Sequence, residues 1–338
     1  MEIHDFDYHL PAKLIAQHPN EPRDECRLMV VDRHSCNFQH SRFRNLPDFL
    51  SPRDLVVLNN TRVIPARLYA SRKGQQDRIE VLLLRCVAGN VWEVLIRPGK
   101  KARPGMCLVF ELGRFEATVV DDACTAIRKL EFEYSGKFQD WINKLGEVPL
   151  PPYINRLPEQ EDQHYYQTVF AQEEGSIAAP TAGLHFSEEL LRRVLTCEIT
   201  LHVGYGTFKP ILKDAVEAHT MDVEHYKVGQ DAAAQIKNQL AKNERVVTVG
   251  TTTTRALEHV FANRGDMVPD QGATDLFIYP GFKFEVTGAL ITNFHLPRST
   301  LLLLVSAFAG KDLIEECYRE AIDQKYRFYS YGDAMLIL

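Results

Sequence analysis

Several absences narrow the class of this protein before any motif is read. The seven cysteines (Cys26, Cys36, Cys86, Cys107, Cys124, Cys197 and Cys317) are odd in number and never fall in C-x-x-C spacing. That argues against both a disulfide framework and a structural zinc site, and it fits a reducing cytoplasm, the expected location. The N-terminus, MEIHDFDYHL, carries acids where a secretory leader carries basic residues and then an apolar run. The most apolar stretch, Leu301 to Ala309, is too short to cross a bilayer, so no membrane association is expected. The Walker P-loop and G-x-G-x-x-G are both missing, which counts against nucleoside triphosphate and dinucleotide chemistry. No H-E-x-x-H or comparable spacing is present either, so no metal is expected.

Excess positive charge is also missing from the chain as a whole, whose net charge is −6, so bulk charge does not hold a nucleic acid. Its distribution is uneven. Residues 61–150 hold 15 Lys/Arg against 11 Asp/Glu, whereas residues 151–338 hold 17 against 25. Within the basic segment Arg97, Lys100, Lys101 and Arg103 bunch around Pro98, Gly99 and Pro104. A basic turn of this kind meets phosphates while the rest of the molecule stays acidic. Arg62 and Arg67 lie just upstream and complete the candidate RNA-binding set.

At 338 residues the chain exceeds a single core of roughly 100 to 200 residues, so two domains are expected. From about Leu55 to Phe132 it reads as short strands: DLVVLNN, RIEVLLLRC, VWEVLIRP, MCLVFEL, RFEATVV and KLEFEY, separated by turn residues. Such a run predicts a small barrel. The proline-rich VPLPPYINRLP (148–158) reads as the exit linker. Beyond it strands alternate with helices, the pattern of a layered α/β fold. The N-terminal segment has too few apolar positions for a core of its own and is expected to join that layer. The predicted architecture is a layered α/β main domain, residues 1–60 plus 150–338, interrupted by an inserted small β-barrel domain, residues 61–149.

In open α/β sheets a ligand lies beyond the carboxyl ends of the strands. Four loops at such positions carry polar groups. GSIAAPTAGLHF (175–186) supplies Thr181 and His185 before the helix SEELLRRVL, capped by Ser187. ITLHV runs into Gly204-Tyr205-Gly206-Thr207 and brings His202. RVVTV is followed by Gly250, Thr252 and Arg255. ALITNF leads from Asn293 to His295, Arg298 and Ser299. Helix starts here favour a carboxylate or phosphate. Two chemistries can use the set: metal-free group transfer with a histidine as proton carrier, or a metal-dependent hydrolase drawing on His185, His202, His219, Glu224 and His295. A non-catalytic RNA-binding protein, whose barrel does the work, is the third reading.

Longer motifs decide among these. DFDYHLP (5–11), VLNNTRVIPARL (57–68), PLPPYI (149–154), AAPTAGLHF (178–186), TLHVGYGTF (200–208), VGTTTTRALE (249–258), ITNFHLPRSTLLLLVSAFAG (291–310) and YRFYSYGDAMLI (326–337) occur in order along nearly the whole chain. The sequence thereby resembles the S-adenosylmethionine:tRNA ribosyltransferase-isomerases of queuosine biosynthesis. The resemblance implies transfer of the ribosyl moiety of S-adenosylmethionine to a 7-aminomethyl-7-deazaguanine in the tRNA wobble position, its isomerisation to an epoxycyclopentanediol, and loss of adenine and methionine. S-adenosylmethionine is then a consumed substrate, no other cofactor is expected, and the enzyme is expected to act as a monomer.

Set against that chemistry, His185, His202 and His295 are the proton-transfer candidates. Thr181, Gly204, Gly206, Thr207, Gly250, Thr252, Arg255, Asn293 and Ser299 are the substrate-binding candidates, and Tyr205, Phe186 and Phe294 are candidates for receiving the unstacked wobble base. The chain departs from the family pattern in three places: the short turn Thr196-Cys197-Glu198, Asp222 where histidine is usual, and Asn60 where aspartate is usual.

Overall fold

The computed structural model describes residues 1–120, 127–208, 211 and 213–338. The chain divides into two compact units, one of residues 1–62, 151–157 and 164–338 and the other of residues 63–150 and 158–163. In the first, β1 (Arg27–Asp32), β2 (Asn37–Arg42) and β3 (Leu55–Asn59) precede β4 (Thr61–Val63), where the chain passes into the second. That unit holds β5 (Arg67–Arg72), β6 (Ile79–Ala88), β7 (Val91–Arg97), β8 (Cys107–Glu111), β9 (Phe115–Val119), β10 (Ile127–Tyr134) and α1 (Phe138–Leu145). After the short helix α2 (Asp162–Tyr165) come β11 (Glu173–Ser176), α3 (Glu188–Leu191), β12 (Leu195–Leu201), β13 (Glu224–Val228), α4 (Gln230–Ala241), β14 (Val246–Val249) and α5 (Thr251–Arg264). The last elements are β15 (Asp270–Thr274), β16 (Ala289–Asn293), α6 (Thr300–Ala309), α7 (Lys311–Asp323) and β17 (Ala334–Ile337).

The first unit is built on a nine-stranded sheet in the order β15-β13-β12-β3-β14-β16-β17-β1-β2. Its centre, β12-β3-β14-β16, is parallel, and the flanks are mostly antiparallel. Every residue of β3, β14 and β16 is buried, as a central strand covered on both faces requires. The two-residue period of a strand sends alternate side chains to opposite layers. Leu55 and Val57 pack with Ala233, Ile236, Leu257 and Val260 of α4 and α5. Val56 and Leu58 face Phe43, Leu46, Phe186 and Leu190 on the other side. No helix among the described residues is long and apolar enough to cross a membrane.

The second unit is a closed six-stranded barrel, β10-β7-β6-β5-β8-β9, in which all pairings are antiparallel. Closure leaves no edge strand to template another chain. Trp141 of α1 stacks on Phe115 at 5.5 Å between ring centroids.

Three sequence expectations change here. DLVVLNN is not a barrel strand: as β3 it is the middle of the large sheet, and its unbroken apolar run is the mark of a strand buried on both faces. Its place in the barrel goes to β5, RLYASR, which shows only Leu68 and Ala70 as buried apolar positions. The helix expected over SEELLRRVL is only four residues long. Ser187 caps it as expected, its Oγ accepting from the Leu190 N–H at 3.2 Å. Residues 196–198, expected as a short turn, are instead part of β12 and pair with β3, and the chain turns earlier, at residues 192–194.

Candidate active site

The parallel centre of the sheet brings the ends of β14 and β16 to one edge, and there the first unit holds a cavity of about 200 Å³. Its wall combines the small-residue loop from Ala179 to Ala182, the start of α5 at Gly250, Thr251 and Thr252, and the end of β16 with the segment after it, at Asn293, His295 and Ser299. Tyr153 and Tyr329, stacked at 4.5 Å between centroids, complete it. Small side chains in the loop let a ligand lie close to the backbone.

The two helix starts differ. Gly250 is the N-cap of α5 and takes φ +88°, a conformation open to glycine and costly for other residues. It offers no side chain to cap the helix. The backbone N–H groups of Thr251, Thr252 and Thr253 accordingly have no protein acceptor among the described residues. Uncapped amides at the positive end of a helix dipole are an anion site. At α6 the Ser299 hydroxyl accepts from the Leu302 N–H at 3.2 Å and donates to the Leu296 carbonyl at 2.7 Å. Ser299 is thus engaged as a cap, although it lines the cavity.

The three histidines separate as sharply. His295 lines the cavity. Its Nε2 lies 2.8 Å from the Thr292 hydroxyl, its backbone N–H donates to Tyr318 Oη at 2.9 Å, and Nδ1 has no partner among the described residues. Burial pushes its pKa down to about 3, so the ring is neutral at pH 7. His185 does not line the cavity. It is buried behind Asn293, and burial, reinforced by the Arg327 and Arg23 charges, lowers its pKa to about 3. His202 is also outside the lining; its Nδ1 meets the Thr61 hydroxyl at 2.8 Å, and burial lowers its pKa. Its ring packs against Gly175, where a Cβ would come within 2.9 Å of it.

Of the expected substrate-binding residues, Thr181, Gly250, Thr252, Asn293 and Ser299 reach the cavity, and Arg255 and Gly204 do not. Arg255 is buried in an ion pair with Glu224 and donates from Nε to the Leu276 carbonyl at 2.7 Å. Glu224 also accepts the Gly204 N–H at 3.0 Å. These three form a brace rather than a binding surface. Gly206 is likewise outside the lining, and its lack of a side chain has a local cause, since a Cβ there would sit 2.3 Å from the Asp222 carboxylate. The side chain of Thr207 lies outside the described residues.

Asn60 is structural: its Oδ1 accepts from the Thr200 hydroxyl at 2.8 Å and its backbone N–H donates to the Ile199 carbonyl. Phe186 and Phe294 are fully buried in the core, which removes them as receivers of an unstacked base. Tyr153 and Tyr329 were missed. Tyr329 has φ +72°, rare and strained for a bulky residue, and its buried hydroxyl has no partner among the described residues.

On the barrel, Arg97, Lys100 and Arg103 are exposed around one turn. Lys100 and Arg103 pair with no carboxylate among the described residues. The side chain of Lys101 lies outside them. Arg67 differs from this group: it is largely buried, 3.8 Å from Glu80, and donates to the Leu150 carbonyl at 3.1 Å, so it braces the barrel and is withdrawn from phosphate contact. In the first unit, Arg62 is exposed.

The family model described as queuosine biosynthesis protein matches residues 3–337. The chain belongs to that family. It is 51% identical over its whole length, and over the whole length of the relative, to a protein of Symbiobacterium thermophilum named S-adenosylmethionine:tRNA ribosyltransferase-isomerase. A protein of Halothermothrix orenii with the same name is 49% identical with the same full coverage. The crystal structure of S-adenosylmethionine tRNA ribosyltransferase from Thermotoga maritima is similar with a TM-score of 0.56 and 38% identity, covering 99% of this chain and 100% of that one. The α/β layer with a barrel is therefore a family architecture. Among the described residues no three or more His, Cys, Asp or Glu side chains gather as a metal-binding set.

Proposed function

We propose that this protein transfers and isomerises the ribosyl moiety of S-adenosylmethionine onto 7-aminomethyl-7-deazaguanine at the tRNA wobble position, giving epoxyqueuosine-tRNA and releasing adenine and methionine. The observation that carries the site assignment is the juxtaposition, in one cavity, of the uncapped start of α5 with the neutral imidazole of His295. The amides of Thr251 to Thr253 suit the methionine carboxylate, with the Thr252 hydroxyl beside them. A sulfonium acidifies its neighbouring C5′ protons, so a base can form an ylide that expels adenine, after which the neutral amine of the modified base attacks the ribosyl fragment. His295 Nδ1 is the group we assign to proton transfer, because of the three histidines only this ring lines the cavity. Burial keeps its ring neutral at pH 7, with a lone pair available to take a proton.

The reaction consumes S-adenosylmethionine and uses no other cofactor. Arg97, Lys100, Lys101 and Arg103, with Arg62, supply phosphate contacts to the tRNA. The enzyme acts as a monomer in the cytoplasm. The test is direct: tRNA bearing the aminomethyl-deazaguanine is incubated with S-adenosylmethionine, and adenine release and the mass of the modified nucleoside are followed. Stoichiometric adenine with a mass gain matching the epoxycyclopentanediol is expected. Absence of adenine release from a folded, tRNA-binding preparation overturns the assignment.

A further inference from the structure

A chain of side-chain hydrogen bonds runs from the core to the cavity wall. Cys26 Sγ lies 3.2 Å from His185 Nδ1, His185 Nε2 lies 2.9 Å from Asn293 Nδ2, and the Thr181 hydroxyl lies 3.0 Å from Asn293 Oδ1. Its polarity is fixed at one point. Asn293 Nδ2 is also 3.1 Å from the backbone carbonyl of Tyr329, which can only accept, so the amide nitrogen faces Tyr329 and the amide oxygen faces Thr181. The second amide hydrogen then points at His185 Nε2, which must hold a lone pair. The imidazole proton therefore sits on Nδ1, directed at the Cys26 sulfur. At the other end Asn293 Oδ1 can only accept, so the Thr181 hydroxyl gives it its proton and keeps its lone pairs for the cavity.

We propose that His185 is a positioning residue whose neutral Nδ1–H form locks the Asn293 amide, and that Thr181 Oγ1 is thereby an obligate acceptor for an O–H or N–H donor on the nucleoside half of the substrate. Protonating Nε2 would set donor against donor, and burial opposes the charge as well. The Cys26 thiol, fully buried at the far end, holds the imidazole proton on the correct nitrogen. This assignment rests on the reading that the cavity takes S-adenosylmethionine. It predicts which residues tune binding there without carrying a proton.

The test uses the whole protein and S-adenosylmethionine itself, with dissociation constants from equilibrium dialysis and turnover with modified tRNA. Thr181→Val removes the acceptor at constant volume and should weaken binding about five- to tenfold, whereas Thr181→Ser should stay within about twofold. His185→Gln places an acceptor near the Nε2 position and should keep the binding constant and the shape of the kcat/KM pH profile. His185→Leu orphans an amide hydrogen and should weaken binding as Thr181→Val does. A His185→Gln profile that loses a limb while binding is intact would make His185 a proton carrier and overturn the proposal. Ring 15N shifts of the wild-type protein decide independently of any variant: an Nε2–H form of His185 refutes it.

Analogues lacking the 2′-hydroxyl, lacking the 3′-hydroxyl or carrying a dimethylated adenine amine identify the donor, because the one that has lost it should no longer respond to Thr181→Val. Response by all three overturns the assignment of Thr181 to a donor on the nucleoside half. Leu301→Trp, which fills the cavity, separates the two levels. If binding survives both Leu301→Trp and Thr181→Val, the cavity reading fails. If it is lost in Leu301→Trp alone, only the acceptor role fails.

Discussion

Lowering the pH from 7 to 5 should destabilise the α/β unit through two histidines. In the unfolded chain a histidine titrates near 6.5, whereas burial holds His185 and His295 at about 3 in the folded state. Between those values the unfolded state binds more protons, so stability rises with pH across the window and falls as the pH drops below about 6.5. At pH 5 each unfolded imidazole gains about 2 kcal/mol from protonation that the folded one forgoes, about 4 kcal/mol for the pair. The figure is insensitive to the folded value, provided it lies below about 4.

The molecule carries its own control. All 12 histidines lie outside residues 63–150, and both tryptophans, Trp92 and Trp141, lie inside them. Urea unfolding followed by ellipticity at 222 nm reports chiefly α4 to α7, while tryptophan fluorescence reports the barrel. The first transition should move to lower urea at pH 5 and the second should hardly move. His185→Gln and His295→Gln should each reduce the pH-dependent loss by about 2 kcal/mol. If the double variant loses as much stability between pH 7 and 5 as the wild type, the linkage is wrong.

Other perturbations probe the remaining assignments. Gly250→Ala meets only ordinary contacts, 3.6 Å to the Thr252 hydroxyl and 3.7 Å to Ala182 Cβ, so its cost is backbone conformation. About 1 to 2 kcal/mol of stability should be lost, with weaker S-adenosylmethionine binding, read by thermal unfolding and calorimetry. Replacing Arg255 by Met strands a buried Glu224 carboxylate and should cost about 3 to 5 kcal/mol in chemical denaturation. A loss under 1 kcal/mol would mean the brace is dispensable. Charge reversal at Lys100 and Arg103 should weaken tRNA binding and reduce the slope of log affinity against log salt by roughly one for each phosphate no longer neutralised. An unchanged slope removes this turn from the RNA surface.

Legibility in the sequence followed the strength of local signals. RVVTV was readable as a strand leading through Gly250 toward a helix, because period and punctuation agree there, although the helix begins at Thr251 and takes in the four threonines. RLYASR was not, since two small buried positions in six residues carry little pattern. Of the candidate site residues, Thr181, Gly250, Thr252, Asn293 and His295, all at or near the loops entering helices, line one cavity. Arg255 failed because a charged residue beside such a loop can turn either to a ligand or to a buried partner, and Glu224 lies 31 residues away in the chain. Tyr153 sat in a segment that reads as a linker. Tyr329 depends on a left-handed backbone that no residue type announces.

The place of β17 bears on how the fold is reached. Among the described residues the β1–β2 hairpin joins the large sheet through this four-residue strand, which lies between β16 and β1. Arg27 and Asp333, bonded at that junction at 2.9 Å, are 306 residues apart. Loop closure over such a distance must precede the contacts that reward it, and topologies of this kind assemble slowly. The barrel pairs strands drawn from residues 67–134 alone. The expected order of assembly follows: the insertion matures early, and the layer that surrounds it in sequence is sealed last, when its two most distant segments meet.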